Sequence, residues 1–177
     1  MAIGDVMKSL LRILLGPVAW YAERYLLMYL GNNDPIYSKV GKIGTVAVTA
    51  ANTSSQGGGT VGTDIFLLFS SDTTNGSFIR EIRAMPTASA ASTATTATVI
   101  RIFYGTVGSG ATTSSNTHLL AEMSVASQTA DAPTTPVFPI VVPLNFAMPA
   151  SSFILVTNHA APAASTQWKF IAIGGDY

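Results

Sequence analysis

Two histidines, nine carboxylates and no cysteine are the groups that the 177-residue chain offers for acid–base or metal chemistry. His118 and His159 each stand among Thr or Asn residues, with no second His, Cys or carboxylate at ligand spacing. A metal centre needs such a convergent set, so both histidines are expected to be ordinary loop or strand-end residues. Glu81 and Glu122 could be imagined as the carboxylate pair of a glycosidase. Arg80 and Arg83 flank Glu81, however, and a salt-bridge cluster on a strand accounts for that stretch better. Gly108-Ser109-Gly110 lies in a low-complexity loop rather than on a strand-to-helix elbow that would expose a nucleophile. Gly57-Gly58-Gly59 lacks the following Lys-Ser/Thr and helix of a phosphate cradle, so it is expected to be a turn. These residues predict no enzyme, no cofactor and no bound metal.

Binding is the stronger reading. Arg80, Glu81, Arg83 and Arg101 are candidates for salt bridges at an interface, because a guanidinium fork pairs well with a carboxylate once water is removed. A solvated sheet face is the competing reading of the same residues. Trp168 could stack on a sugar, although a Trp beside Phe170 in an apolar run belongs more naturally in a core.

The elements that must position these residues are of two kinds. Residues 6–30 are almost continuously apolar, with Asp5 as a helix cap, Lys8 and Arg12 as an i,i+4 pair, and Gly16-Pro17 breaking the run. Gly31 supplies a stop before the Asn32-Asn33-Asp34-Pro35 turn. Two helices, or one kinked at Pro17, are predicted for an arm over 1–34. Lys8, Arg12, Gly16, Ala19 and Glu23 form one narrow stripe, and the rest of the circumference is apolar. That exceeds what one sheet face covers. Leu10, Leu14, Trp20, Tyr21, Tyr25, Leu26 and Tyr29 are therefore the candidate partner-docking residues. A membrane span is disfavoured, because Glu23 and Arg24 would sit near mid-depth at roughly 2.5 to 3.5 kcal/mol each. The polar stripe also lacks the Lys/Arg enrichment of an interfacial membrane helix.

Residues 35–42 read as a linker, after which the period changes from helical to two. Eight strands are expected within a domain over 43–177: 43–49, 63–69, 78–85, 96–104, 118–125, 137–142, 153–157 and 167–173. No helical pattern separates them, which predicts a mainly β, antiparallel sandwich of jelly-roll type whose strand order the sequence leaves open. In the last strand Trp168 and Phe170 oppose Lys169, Ile171 and Ile173. Both faces are thus partly apolar, and the sheets are expected to meet something on their outer side. Pro136, Pro139 and Pro143 mark the sixth strand as an edge. The Ser/Thr/Gly/Ala loops over 51–60, 87–95 and 108–117 suit either flexibility or close packing on a neighbouring subunit. Net charge is zero and charged residues are only 10% of the chain. Little therefore repels a second copy, and nine scattered Lys+Arg make no basic patch for nucleic acid.

Thr49-Ala50-Ala51-Asn52-Thr53 with its Gly-rich loop, Asn75-Gly76-Ser77-Phe78-Ile79-Arg80-Glu81-Ile82-Arg83, Val99-Ile100-Arg101-Ile102-Phe103 and the final Ile173-Gly174-Gly175-Asp176-Tyr177 carry a resemblance over residues 40–177. The chain resembles small β-sandwich structural proteins of tailed bacteriophages. The resemblance implies a virion component assembled in the bacterial cytoplasm, with no active site to carry over. The sequons at Asn52 and Asn75 are then accidental. The expectation is a non-enzymatic capsid decoration or cement protein docked through its arm. Its partners would be other copies, with a trimer as one form, and virion proteins such as the major capsid protein. A tail, baseplate or fibre-base part and a carbohydrate-binding module are the alternatives.

Overall fold

All eight period-two runs form strands, because β-branched and aromatic residues alternate between Gly, Ser, Asn and Pro clusters that stop them. A computed structural model of the chain describes residues 38–90, 93–130 and 136–177. The helical arm assigned to 1–34, with Leu10, Leu14, Trp20, Tyr21, Tyr25, Leu26 and Tyr29, lies outside the described residues.

Twelve strands occur among the described residues: β1 (Val40–Val48), β2 (Gly59–Thr60), β3 (Phe66–Ser70), β4 (Ser77–Ala88), β5 (Thr93–Ala94), β6 (Thr98–Gly105), β7 (Ala111–Thr112), β8 (Thr117–Val125), β9 (Thr129–Ala130), β10 (Ile140–Met148), β11 (Phe153–Asn158) and β12 (Thr166–Asp176). The eight long ones form two four-stranded sheets, ordered β1-β12-β4-β10 and β3-β11-β6-β8, with every pair antiparallel. The pairs are nested. Around β6–β8 lie β4–β10, then β3–β11, then β1–β12, as in one long ribbon folded over on itself. The short strands pair as β2–β7 and β5–β9.

Inward residues of both sheets meet in one core that includes Val48, Phe69, Ile79, Ile82, Ile100, Ile102, Ile154, Val156, Trp168 and Phe170. This makes the domain a β-sandwich. Each large side chain buried here contributes about 1.5–3 kcal/mol. A second cluster, Ile65, Phe103 and Leu155, lies against Val61 and Leu67. Phe103 and Leu155 are paired across β6 and β11, and neighbouring residues alternate in direction. They therefore point away from the main core, and loop residues cover that side of the β3-β11-β6-β8 sheet.

Most strand ends differ from the sequence reading, and three of the starts have a clear cause. β1 starts at Val40, inside the stretch taken as linker, because Val40, Gly41 and Lys42 pair with Asp176, Gly175 and Gly174. Lys42 Nζ also lies 3.0 Å from an Asp176 carboxylate oxygen. β3 starts at Phe66 rather than residue 63, since Asp64 is held in a turn by the Thr60 N–H at 2.6 Å. β10 starts at Ile140 and runs past Pro143. It is an edge strand, so the missing N–H of Pro143 costs no second ladder.

Candidate docking face

The outer face of the β1-β12-β4-β10 sheet is built around an irregularity in β4. Gly174 pairs with Ile79 and Ile173 with Glu81, which leaves Arg80 as an extra residue. The bulge flips the side-chain phase, so Ile79 and Ile82 both face the core while Glu81 and Arg83 face outward. Register then places Thr45, Ile171, Arg83 and Val141 in one row across the four strands. Ile43, Ile173, Glu81 and Pro143 form the next row.

The face is apolar except at its centre. Ile43 is 68% exposed, Val141 48% and Ile171 39%. Glu81 is nearly buried, and its Oε1 accepts hydrogen bonds from Arg83 Nε at 2.7 Å and from Arg83 Nη2 at 2.6 Å. Arg80 Nε stands 3.5 Å from the other carboxylate oxygen. Two guanidinium groups thus face the one Glu81 carboxylate, and Lys169 is the exposed charge of the neighbouring row, opposite Ala47 and Met85. Four strands spaced about 4.8 Å apart and five residues at about 3.3 Å each give an area on the order of 300 Å². This footprint includes Thr45, Arg83, Glu81 and Lys169 as well as the apolar residues; the largest apolar patch on a typical monomer is about 300–600 Å² and is often functional.

The opposite sheet is covered in part by its own chain. Arg101 on β6 is buried, and its guanidinium donates to Glu122 Oε1 at 3.3 Å and to the Asn52 carbonyl at 3.4 Å. His159 Nδ1 lies 3.2 Å from Arg101 Nη1 and accepts, since Arg only donates. Asn52 in turn shapes the glycine turn, its Nδ2 donating to the Gly58 carbonyl at 3.1 Å and its Oδ1 accepting from the Ser54 N–H at 2.8 Å. Thr117 Oγ1 donates to the Thr113 carbonyl at 2.6 Å and lies 3.2 Å from the Gly57 carbonyl. The loops over 51–60 and 108–117 are tied to each other where β2 pairs with β7. Only β8 keeps large apolar side chains, Leu119 and Leu120, exposed on the second sheet.

These placements separate the sequence candidates. Arg80, Glu81 and Arg83 come together on the open face. Arg101 does not join them: it stands on the other sheet and ties down its own loop. Glu81 and Glu122 lie on different sheets, with Glu81 on the outer face of its own and Glu122 hydrogen-bonded to Arg101 on the other, so no glycosidic bond could sit between them. Trp168 is core, not a sugar platform. His118 packs beside Tyr104 with ring centroids 6.4 Å apart, and among the described residues no group of three His, Cys, Asp or Glu could hold a metal ion. Asn52, buried under its loop, presents no side chain for a glycan. The outward residues Ile43, Thr45 and Val141 were not singled out from sequence. Their signal was the alternation of β12, whose outward Ile171 and Ile173 needed neighbours of the same kind.

No family model matches the chain, and no curated protein does. Among solved structures, that of the infectious bursal disease virus Gx strain is similar over 78% of this chain, at 14% identity and a TM-score of 0.30. This chain spans only 34% of the length of that one. A likeness of this degree carries no argument about function.

Proposed function

We propose that the chain is a non-enzymatic structural subunit of a tailed-phage virion, a capsid decoration protein whose N-terminal arm docks on the particle. The observation that carries this reading is the asymmetry of the sandwich. One sheet is covered over part of its outer side by its own loops, with β8 left open, while the other presents an uncovered face whose apolar residues surround Glu81 and its two arginines. Such a face suits contact with protein rather than with nucleic acid, substrate or ion. At about 300 Å² it is smaller than the roughly 800 Å² per partner of a standard interface. A stable attachment therefore needs a further element, and the apolar circumference of residues 6–30 fits that need. The nested strand order supports a jelly roll of two Greek keys, an architecture that viral capsid domains share with lectins and cupins. Architecture alone does not select among those uses.

The test is co-sedimentation of tagged full-length chain with particles lacking it, followed by separation of heads from tails. Wild type should travel with heads. Leu14→Asp and Leu26→Asp should each lose incorporation, because a carboxylate buried without a partner costs several kcal/mol. Ala19→Asp, on the polar stripe, should be retained. Equal incorporation of all three variants contradicts arm docking, and recovery with tails alone would move the protein to the tail.

A further inference from the structure

Each sheet has two outermost strands, and an outermost strand presents a row of unpaired N–H and C=O groups that invites another strand. Three of the four carry a device that discourages this. β10 has Pro143 followed by a bulge at which Asn145 adopts a φ of 51°. β8 has an extra residue, Leu120, between the partners of Ile102 and Phe103. β3 is five residues long and irregular at Leu68, whose carbonyl faces Gly44 of β1. β1 has no such device. It runs nine residues in unbroken register with β12, contains no proline, and its one charge, Lys42, is held by Asp176. On the side away from β12, none of its backbone groups is bonded among the described residues.

Gly41 adds a second observation. Its φ is not positive, and a Cβ built on it meets nothing within 4 Å. Nothing within the described residues requires a glycine there, and glycine within a strand often marks a place where another backbone approaches closely.

We propose that β1 pairs antiparallel with β1 of a second copy about a two-fold axis at Ile43, joining two four-stranded sheets into one of eight. Ile43, the most exposed large side chain of the strand, then lies opposite its own copy, and Gly41 lies opposite Thr45 of the second chain. A second copy fits this edge better than a foreign peptide does. Two-fold pairing closes both edges at once, whereas an added peptide leaves its own far edge open. With Lys42 neutralised, no like charges meet at the axis. The joined sheets also extend the apolar outer face across the axis, which enlarges the surface available to a larger partner. The inference does not rest on the virion reading, since the pair forms in solution.

The chain has no cysteine, so single cysteines report register cleanly. Directly opposed residues in an antiparallel pair have Cα atoms about 4.5–5.5 Å apart, within the disulfide range of about 4.4–6.8 Å. Position 47 is four residues from the axis, which puts its two copies roughly 26 Å apart. Full-length Ile43→Cys should give a covalent dimer under mild oxidation, and Ala47→Cys should not. Ile43→Lys should convert a sedimenting dimer to monomer while leaving the circular dichroism spectrum of the folded domain unchanged. Wild type that sediments as a monomer or a trimer overturns the proposal, as does cross-linking at 47 equal to that at 43. An Ile43→Cys variant that neither cross-links nor reacts with a maleimide also overturns it, since the edge is then covered from within its own chain. A dimer that never joins particles leaves this proposal standing and removes the virion reading.

Discussion

Asp72 shows how a single half-buried carboxylate can set a turn. The N–H groups of Asn75, at 2.7 Å, and Thr74, at 2.9 Å, donate to its Oδ1 and hold its pKa below the ordinary value of 3.8. These bonds favour the ionised form, so the folded value lies below the unfolded one. The stabilisation is complete above about pH 4 and is lost as pH falls through the folded value. Asp72→Asn keeps an acceptor in place but removes the titration. Urea midpoints should therefore separate wild type from the variant at about pH 7 and converge at about pH 2. A gap that persists in acid would assign the effect to shape rather than charge.

The elements were legible where periodicity and punctuation act locally. All eight long strands follow from alternation and turn residues, and the core positions of Trp168 and Phe170 follow from the same count. Long-range pairing was not legible. Val40 to Lys42 carry no period-two signal because Gly41 interrupts it, and their partner is the Gly174-Gly175-Asp176 segment at the far end of the chain. The burial of Arg101 beneath a loop was hidden for a similar reason, since its partners Asn52 and His159 come from distant loops. The β3–β4 turn offers a test at this scale. Gly76 has a φ of 79°, and a Cβ there would collide with the Met148 carbonyl, whereas Gly62, with a φ of 88°, has open space around that position. Gly62→Ala should cost only the left-handed backbone, about 1–2 kcal/mol. Gly76→Ala should cost more, because the clash is with backbone that cannot rotate away. Chemical denaturation of the two variants side by side measures the difference. Equal losses would mean that the β10–β11 connection yields without penalty.

At the scale of the whole molecule, two sheets of the same size are treated differently. One is covered over β6 and β11 by its own loops through Arg101, Asn52 and Phe103, and the other offers Ile43, Ile171 and Val141 around the Glu81–Arg83 pair. The central claim is that this open face and the arm before it are where the chain meets a larger assembly. The most direct measurement is a cryo-EM map of the native particle at side-chain resolution, with the chain traced in place. The account predicts that the sandwich is found on the head, with Val141 and Ile171 covered by protein and the loop side over Phe103 turned toward solvent. A particle without the chain, or a chain whose β1-β12-β4-β10 face stands bare in solvent, would contradict it.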